Sequence, residues 1–175
     1  VYVEPMSYWL ALPPDAPRTY ASAMATLTND LAGARGKEKQ QMAAATFTSG
    51  IHTADGQFSL HLVKAPWCDG GVFTLNPDPD LPASTEHRST KATVMRESIT
   101  AAFRKNQPAT NAPGAGLDGV YFDSFEMSSS QLNYRREHFR AANVPLGFDR
   151  EGRPGELMIF NTWEFARNVA HVLHA

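Results

Sequence analysis

Chemistry in this chain is concentrated where apolar runs give way to acids. In Gly116-Leu117-Asp118-Gly119-Val120-Tyr121-Phe122-Asp123-Ser124-Phe125-Glu126, the central Val120-Tyr121-Phe122 has the β-branched and aromatic character of a short buried strand, and Asp123 and Glu126 stand just past its end. Carboxyl groups at the carboxyl ends of strands in α/β proteins are where ligand chemistry gathers, which makes Asp123 the leading catalytic candidate. The competing reading is a helix cap or turn former, a role that Ser124 and Ser128-Ser129-Ser130 can also fill. Val1-Tyr2-Val3-Glu4-Pro5 repeats the arrangement, with Glu4 at the end of a proline-stopped run and Tyr8 and Trp9 just beyond. Two further runs end in amides or acids: Val72-Phe73-Thr74-Leu75 in Asn76-Pro77-Asp78, and Glu156-Leu157-Met158-Ile159-Phe160 in Asn161.

If these runs lie parallel in one sheet, Glu4, Asn76, Asp78, Asp123, Glu126 and Asn161 meet at one rim. Tyr8, Trp9 and Trp67 flank that rim, and Tyr134 is a further candidate. Acids with aromatic platforms fit a sugar site, because glycosidic cleavage uses two carboxyl groups about the bond while ring faces stack on aromatic side chains. Aromatic residues near strand ends are also ordinary core, and for Trp67 the core is the favoured reading. Other chemistries find less footing. The histidines at 52, 61, 87, 138, 171 and 174 show no HExxH or paired Cys/His spacing, and Asp78, Asp80 and Glu86 lack the EF-hand interval, so no metal is expected. There is no Gly-x-Ser-x-Gly elbow, Cys68 has no cationic neighbour, and Gly114-Ala115-Gly116 precedes a strand instead of opening a helix, so neither a nucleophilic elbow nor a nucleotide cofactor is expected.

The elements that must position these residues alternate. The spacing predicts a helix over 19–34, where Met24, Leu27 and Leu31 repeat, a second over 37–45, and a β-hairpin over 47–63 about Asp55-Gly56. Strand 72–75 follows, then a helix over 89–105 with Ala92, Met95, Ile99 and Phe103 on one face. After the strand at 120–122 come a charged helix over 131–142, a strand over 156–160 and a last helix over 162–173 with Thr162 as N-cap. Strands alternating with helices imply an α/β fold: a parallel sheet of β/α units, or a partial (β/α) barrel, with a β-hairpin insertion.

The chain has 175 residues, enough for one good core, and reads as a single α/β domain, 1–175, or as a fragment of a larger (β/α)8 barrel, which typically needs about 250 residues. A net charge of −2 and a pI of 6.3 argue against a polyanion-binding surface, so nucleic acid is not an expected partner. One cysteine excludes an intrachain disulfide and leaves the redox compartment open, so secretion is neither supported nor excluded. No apolar run is long enough to span a membrane, and no membrane partner is expected. The start at Val1, already inside a strand-like run, has the look of a processed or truncated chain.

Asp118-Gly119-Val120-Tyr121-Phe122-Asp123-Ser124, with Glu4 and Asn76 on other strands, resembles the strand ends of TIM-barrel glycoside hydrolases, most closely the retaining α-glycosidase clans in which a D-G-x-x-x-D strand delivers a nucleophilic Asp. The likeness covers about seven residues well and the remainder only in rhythm. It implies that Asp123 is the nucleophile, that Glu4, Asn76 and Asp78 contact substrate hydroxyls, and that the partner is a carbohydrate. The usual later-strand acid is not located, with Glu126 or Glu4 available in its place. The alternatives are a non-catalytic carbohydrate-binding module and a structural half-barrel completed by the remainder of a barrel or a second chain.

Overall fold

A computed structural model of the chain describes residues 1–106, 116–125 and 131–174. Its first strand, β1 (Tyr2–Val3), is followed almost at once by β2 (Ser7–Ala11), then by the helices α1 (Tyr20–Leu31) and α2 (Lys37–Ser49). β3 (Leu60–Ala65) and β4 (Cys68–Thr74) form a hairpin, α3 (Lys91–Lys105) and β5 (Tyr121–Phe122) follow, and the last third holds β6 (Leu132–Asn133), a 3-10 turn at His138–Arg140, β7 (Gly147–Phe148), β8 (Pro154–Leu157) and α4 (Met158–His174). Thr19 and Thr90 begin α1 and α3, each side-chain oxygen accepting the backbone N–H three residues on, which satisfies a donor that the helix start leaves free.

Among the described residues the strands form three small sheets: β1-β5 parallel, β2-β4-β3 antiparallel and β6-β8-β7 antiparallel. The fold is therefore mixed α+β. Among the described residues neither the expected parallel sheet of β/α units nor a (β/α) barrel is formed. The alternation of strands and helices along the sequence was a poor guide because it does not say which edge a strand joins. β2 starts four residues after β1 and, instead of crossing over through a helix, runs antiparallel to β4, with Trp9 opposite Val72. Gly70 permits that contact: a Cβ there would lie 2.1 Å from the carbonyl oxygen of Leu10, so only glycine lets β2 approach.

Three local expectations are corrected in the same way. The Asp55-Gly56 turn forms, with Gly56 at φ +82°, but its arms meet in the single bridge His52–Phe58, Phe47 belongs to α2, and Leu60–Ala65 pairs with β4. The charged segment 131–142 is no helix: the Asn133 side-chain oxygen accepts the backbone N–H groups of Arg135 and His52, a local alternative that competes with helical bonding. The strand expected over 156–160 stops at Leu157. α4 starts at Met158, so Thr162 is no cap but lies inside the helix, its hydroxyl donating to the Met158 carbonyl at 3.1 Å.

Two of the three apolar clusters among the described residues cover the sheets that position the site, and the third joins Met6, Ile51 and Met158. α1 and α2 cover the β2-β4-β3 sheet through Leu10, Leu27, Ala43, Phe73 and Leu75, while α3 and α4 cover the β1-β5 ladder through Ile99, Phe165 and Val169 packed on Val3 and Phe122. That second packing decides where the site lies. Side chains alternate along a strand, so with Val3 and Phe122 turned to the helices, Tyr2 and Tyr121 are turned away and stand 62 % and 63 % exposed.

Candidate functional site

Alternation continued by one residue puts Glu4 and Asp123 on that same open face. The ladder pairs Tyr2 with Tyr121 and Val3 with Phe122, and the Asp123 N–H donates to the Val3 carbonyl at 2.8 Å, so Glu4 and Asp123 leave adjacent parallel strands side by side. At the ordinary strand spacing their Cα atoms are about 4.8 Å apart. Ser124 follows with φ +52°, an uncommon backbone state for a residue with a side chain and one that recurs at ligand sites.

The two carboxyl groups share an open cleft of about 570 Å³ lined by Tyr2, Glu4, Trp9, Trp67, Asp123 and Ser124. Each is steadied by an aromatic donor. Tyr2 donates its hydroxyl to Asp123 Oδ2, and that hydrogen bond to a carboxylate, more than any other influence, pushes the phenol pKa up to about 12, so Tyr2 stays a donor through the neutral range. Trp9 Nε1 donates to Glu4 Oε1 at 2.7 Å, and the Ser7 hydroxyl donates to the same oxygen. Asp123 Oδ1 and Glu4 Oε2 take no hydrogen bond from the described residues. Behind Glu4 lies Lys91, fully buried, with Nζ donating to the Ser7 carbonyl at 2.8 Å; burial pushes its pKa down to about 8, against the pull of the Glu4 charge.

Trp67 completes the cleft from the β3-β4 hairpin, whose two-residue loop is Pro66-Trp67. Its indole is not in the core, where the sequence favours it, but is 74 % exposed and meets Trp9 edge-on at 6.4 Å between ring centroids. The fold makes little use of this ring, since so exposed an indole has given up most of the burial that a large apolar side chain normally gains.

The remaining candidates go elsewhere. Tyr8 is in the apolar core between the β2-β4-β3 sheet and α1 and α2, on the opposite face of β2 from Trp9, so it cannot line the cleft; burial pushes its phenol up to about 12 and leaves the hydroxyl without a partner among the described residues. Asn76, Asp78 and Asn161 do not reach the rim either. Asn76, Asn133, His138, Glu156 and Asn161, each at most 2 % exposed, form a sealed cluster. Glu156 Oε2 accepts from Asn76 Nδ2 at 3.1 Å and Asn133 Nδ2 at 3.0 Å, and Asn161 Nδ2 donates to Asn76 Oδ1 at 2.8 Å. His138 Nε2 lies 2.9 Å from the Thr48 carbonyl and Nδ1 3.0 Å from Asn133 Nδ2, a pairing that assigns the Nε2–H tautomer of a neutral ring. Burial holds His138 neutral, down to about 3, and pushes Glu156 up to about 7; Asp78, buried beside the cluster, goes up to about 6 for the same reason. Glu126 lies outside the described residues. Tyr134 is bound to Asp149 Oδ2 at 2.9 Å, apart from the cleft.

Of the expected rim, then, Glu4, Asp123, Trp9 and Trp67 come together, while Tyr8, Asn76, Asp78 and Asn161 are spent inside the fold. Tyr2, Ser7, Ser124 and Lys91 were missed. A signal existed for Tyr2: it stands two residues before Glu4 on one strand, hence on the same face. Nothing in the sequence marked Lys91.

Comparison of the chain with family models, with curated proteins and with solved structures returns no match. Among the described residues no group of three His, Cys, Asp or Glu is placed to hold a metal ion, and no helix is long and apolar enough to cross a membrane.

Proposed function

We propose that the cleft binds a carbohydrate and hydrolyses its glycosidic bond with Asp123 and Glu4. The observation that carries this reading is the pairing of the two carboxyl groups, side by side on parallel strands and open to solvent between an exposed tyrosine and an exposed tryptophan. Strand spacing favours the shorter of the two separations used by glycosidases, about 5–5.5 Å for retention against about 6.5–9.5 Å for inversion. In the retaining course Asp123, held in place by the Tyr2 hydroxyl, attacks the anomeric carbon as the glycosidic C–O bond breaks, and Glu4 gives its proton to the leaving oxygen. Glu4 then takes a proton from water, whose oxygen attacks the same carbon and releases Asp123. Oε2 of Glu4, free of hydrogen bonds from the described residues, is the oxygen that carries this proton.

A second reading is a binding module without turnover. It draws on Glu4, whose Oε1 already takes the Trp9 and Ser7 donors, so that the carboxyl group is fixed in place as a hydrogen-bond acceptor. Wild type, Asp123→Asn and Glu4→Gln assayed on a panel of aryl glycosides separate the two. Hydrolysis by the wild type that both variants lose supports catalysis. Sugar binding with no hydrolysis in any of the three supports the module, and hydrolysis that survives Asp123→Asn overturns the role given to Asp123.

A further inference from the structure

The aromatic side chains of the cleft come in two pairs, and each pair is tied to a different carboxyl group. Tyr2, which donates to Asp123, stacks on Tyr121 with 6.0 Å between ring centroids and 25° between planes. Trp9, which donates to Glu4, meets Trp67. The outer member of each pair is largely exposed, Tyr121 at 63 % and Trp67 at 74 %. Tyr121 is not part of the cleft wall; through Tyr2 it prolongs the wall across the ladder, because Tyr121 is the cross-strand neighbour of Tyr2.

A terminal sugar held in a closed pocket would need neither of these outer rings. From the two pairs we infer that the cleft takes an internal stretch of an oligosaccharide chain, with sugar units stacked on Tyr2 and Tyr121 at one side of the carboxyl pair and on Trp9 and Trp67 at the other. This rests on the carbohydrate reading above. Tyr121 is a binding residue on this account, touching a sugar unit away from the bond that breaks. Its ring supplies the interaction: a flat apolar face matched to the C–H face of a pyranose. Its hydroxyl is dispensable.

The test is binding by calorimetry of soluble oligosaccharides of glucose, xylose and N-acetylglucosamine, one to six units long, to the wild type, Tyr121→Ala, Tyr121→Phe and Trp67→Ala, all in an Asp123→Asn background that leaves the oligomers uncleaved, with circular dichroism to establish that each variant is folded. For the sugar that binds, affinity should climb over the first several units. Tyr121→Ala and Trp67→Ala should each lose about tenfold on the longest oligomer and almost nothing on the shortest, and Tyr121→Phe should match the wild type. Wild-type binding with no gain beyond one unit, or a Tyr121→Ala variant that binds long oligomers normally, overturns the extended platform and leaves the carbohydrate reading standing. No binding of any of these sugars overturns both.

Discussion

The same residue types meet in two places, the open cleft at Glu4 and Asp123 and the sealed cluster at Asn76, Asn133, His138, Asn161 and Glu156. In the cleft the acids follow short strands and in the cluster Asn133 and Glu156 lie within them, and in each place a carboxyl oxygen accepts from two neighbours or from one strong donor. What separates them is what the groups still offer. In the cleft one oxygen of each carboxyl group takes no hydrogen bond from the described residues, whereas in the cluster nearly every polar atom is answered by another buried one, and burial holds both the histidine and the acid toward their neutral forms. The first arrangement can accept a ligand. The second spends its hydrogen bonds joining the end of β4, β6, β8 and α4, and its one orphan among the described residues, Glu156 Oε1, is itself buried.

The sharpest way to break this comparison is to remove one carboxylate from each region. Asp123→Asn should lower turnover by at least about 10³-fold while leaving the melting temperature within a degree or two, because among the described residues its side chain answers only the exposed Tyr2 hydroxyl. Glu156→Leu should do the reverse. It leaves two buried amide donors without their acceptor and should cost about 3 kcal/mol in urea unfolding, with the turnover of the folded fraction unchanged. Equal effects of the two substitutions on both readouts would erase the distinction between site and scaffold.

Smaller effects sharpen it. Tyr2→Phe keeps the ring and deletes the donor to Asp123, and should lower kcat about tenfold with KM little changed. A KM change alone would make Tyr2 a sugar platform and nothing more. The pH dependence of stability should report the sealed cluster. Glu156 has a folded pKa of about 7 against an ordinary 4.5, so the folded state holds a proton that the unfolded chain has given up; its contribution is full below about 4.5 and is lost as pH rises through 7. Asp78 acts in the same direction up to about 6, and His138, lowered to about 3, opposes both as pH falls below 6.5. Glu156→Gln should therefore remove a decline in stability between pH 5 and 7.5 relative to the wild type, measured as the difference between their urea midpoints.

How much of this was legible in the sequence differs between the two regions for a physical reason. The pairing of Glu4 with Asp123 could be read because both follow apolar runs whose alternation fixes which residues share a face. α1 and α3 could be read from their apolar periods. The sheet could not. Whether Ser7–Ala11 joins a parallel neighbour or folds back on Cys68–Thr74 depends on a close approach that only the Gly70-Gly71 pair hints at. The fates of Asn76 and Asn161 were equally hidden, because an amide that ends a strand looks the same facing a ligand or facing Glu156, and Glu156 itself was read only as the start of a strand. His138 and Asn133, placed in a charged helix by their neighbours in sequence, belong to the cluster because Asn133 bonds to local backbone and breaks that helix.

The central claim is that Asp123 bonds covalently to a sugar in the open cleft, and trapping tests it most directly. Incubation with a panel of activated 2-deoxy-2-fluoro glycosides, followed by intact mass and peptide mapping, should add one fluorosugar to the peptide carrying Asp123, and the addition should vanish in Asp123→Asn. A fluorosugar on any other residue, or none at all in a preparation that turns over the parent glycoside, would contradict the account.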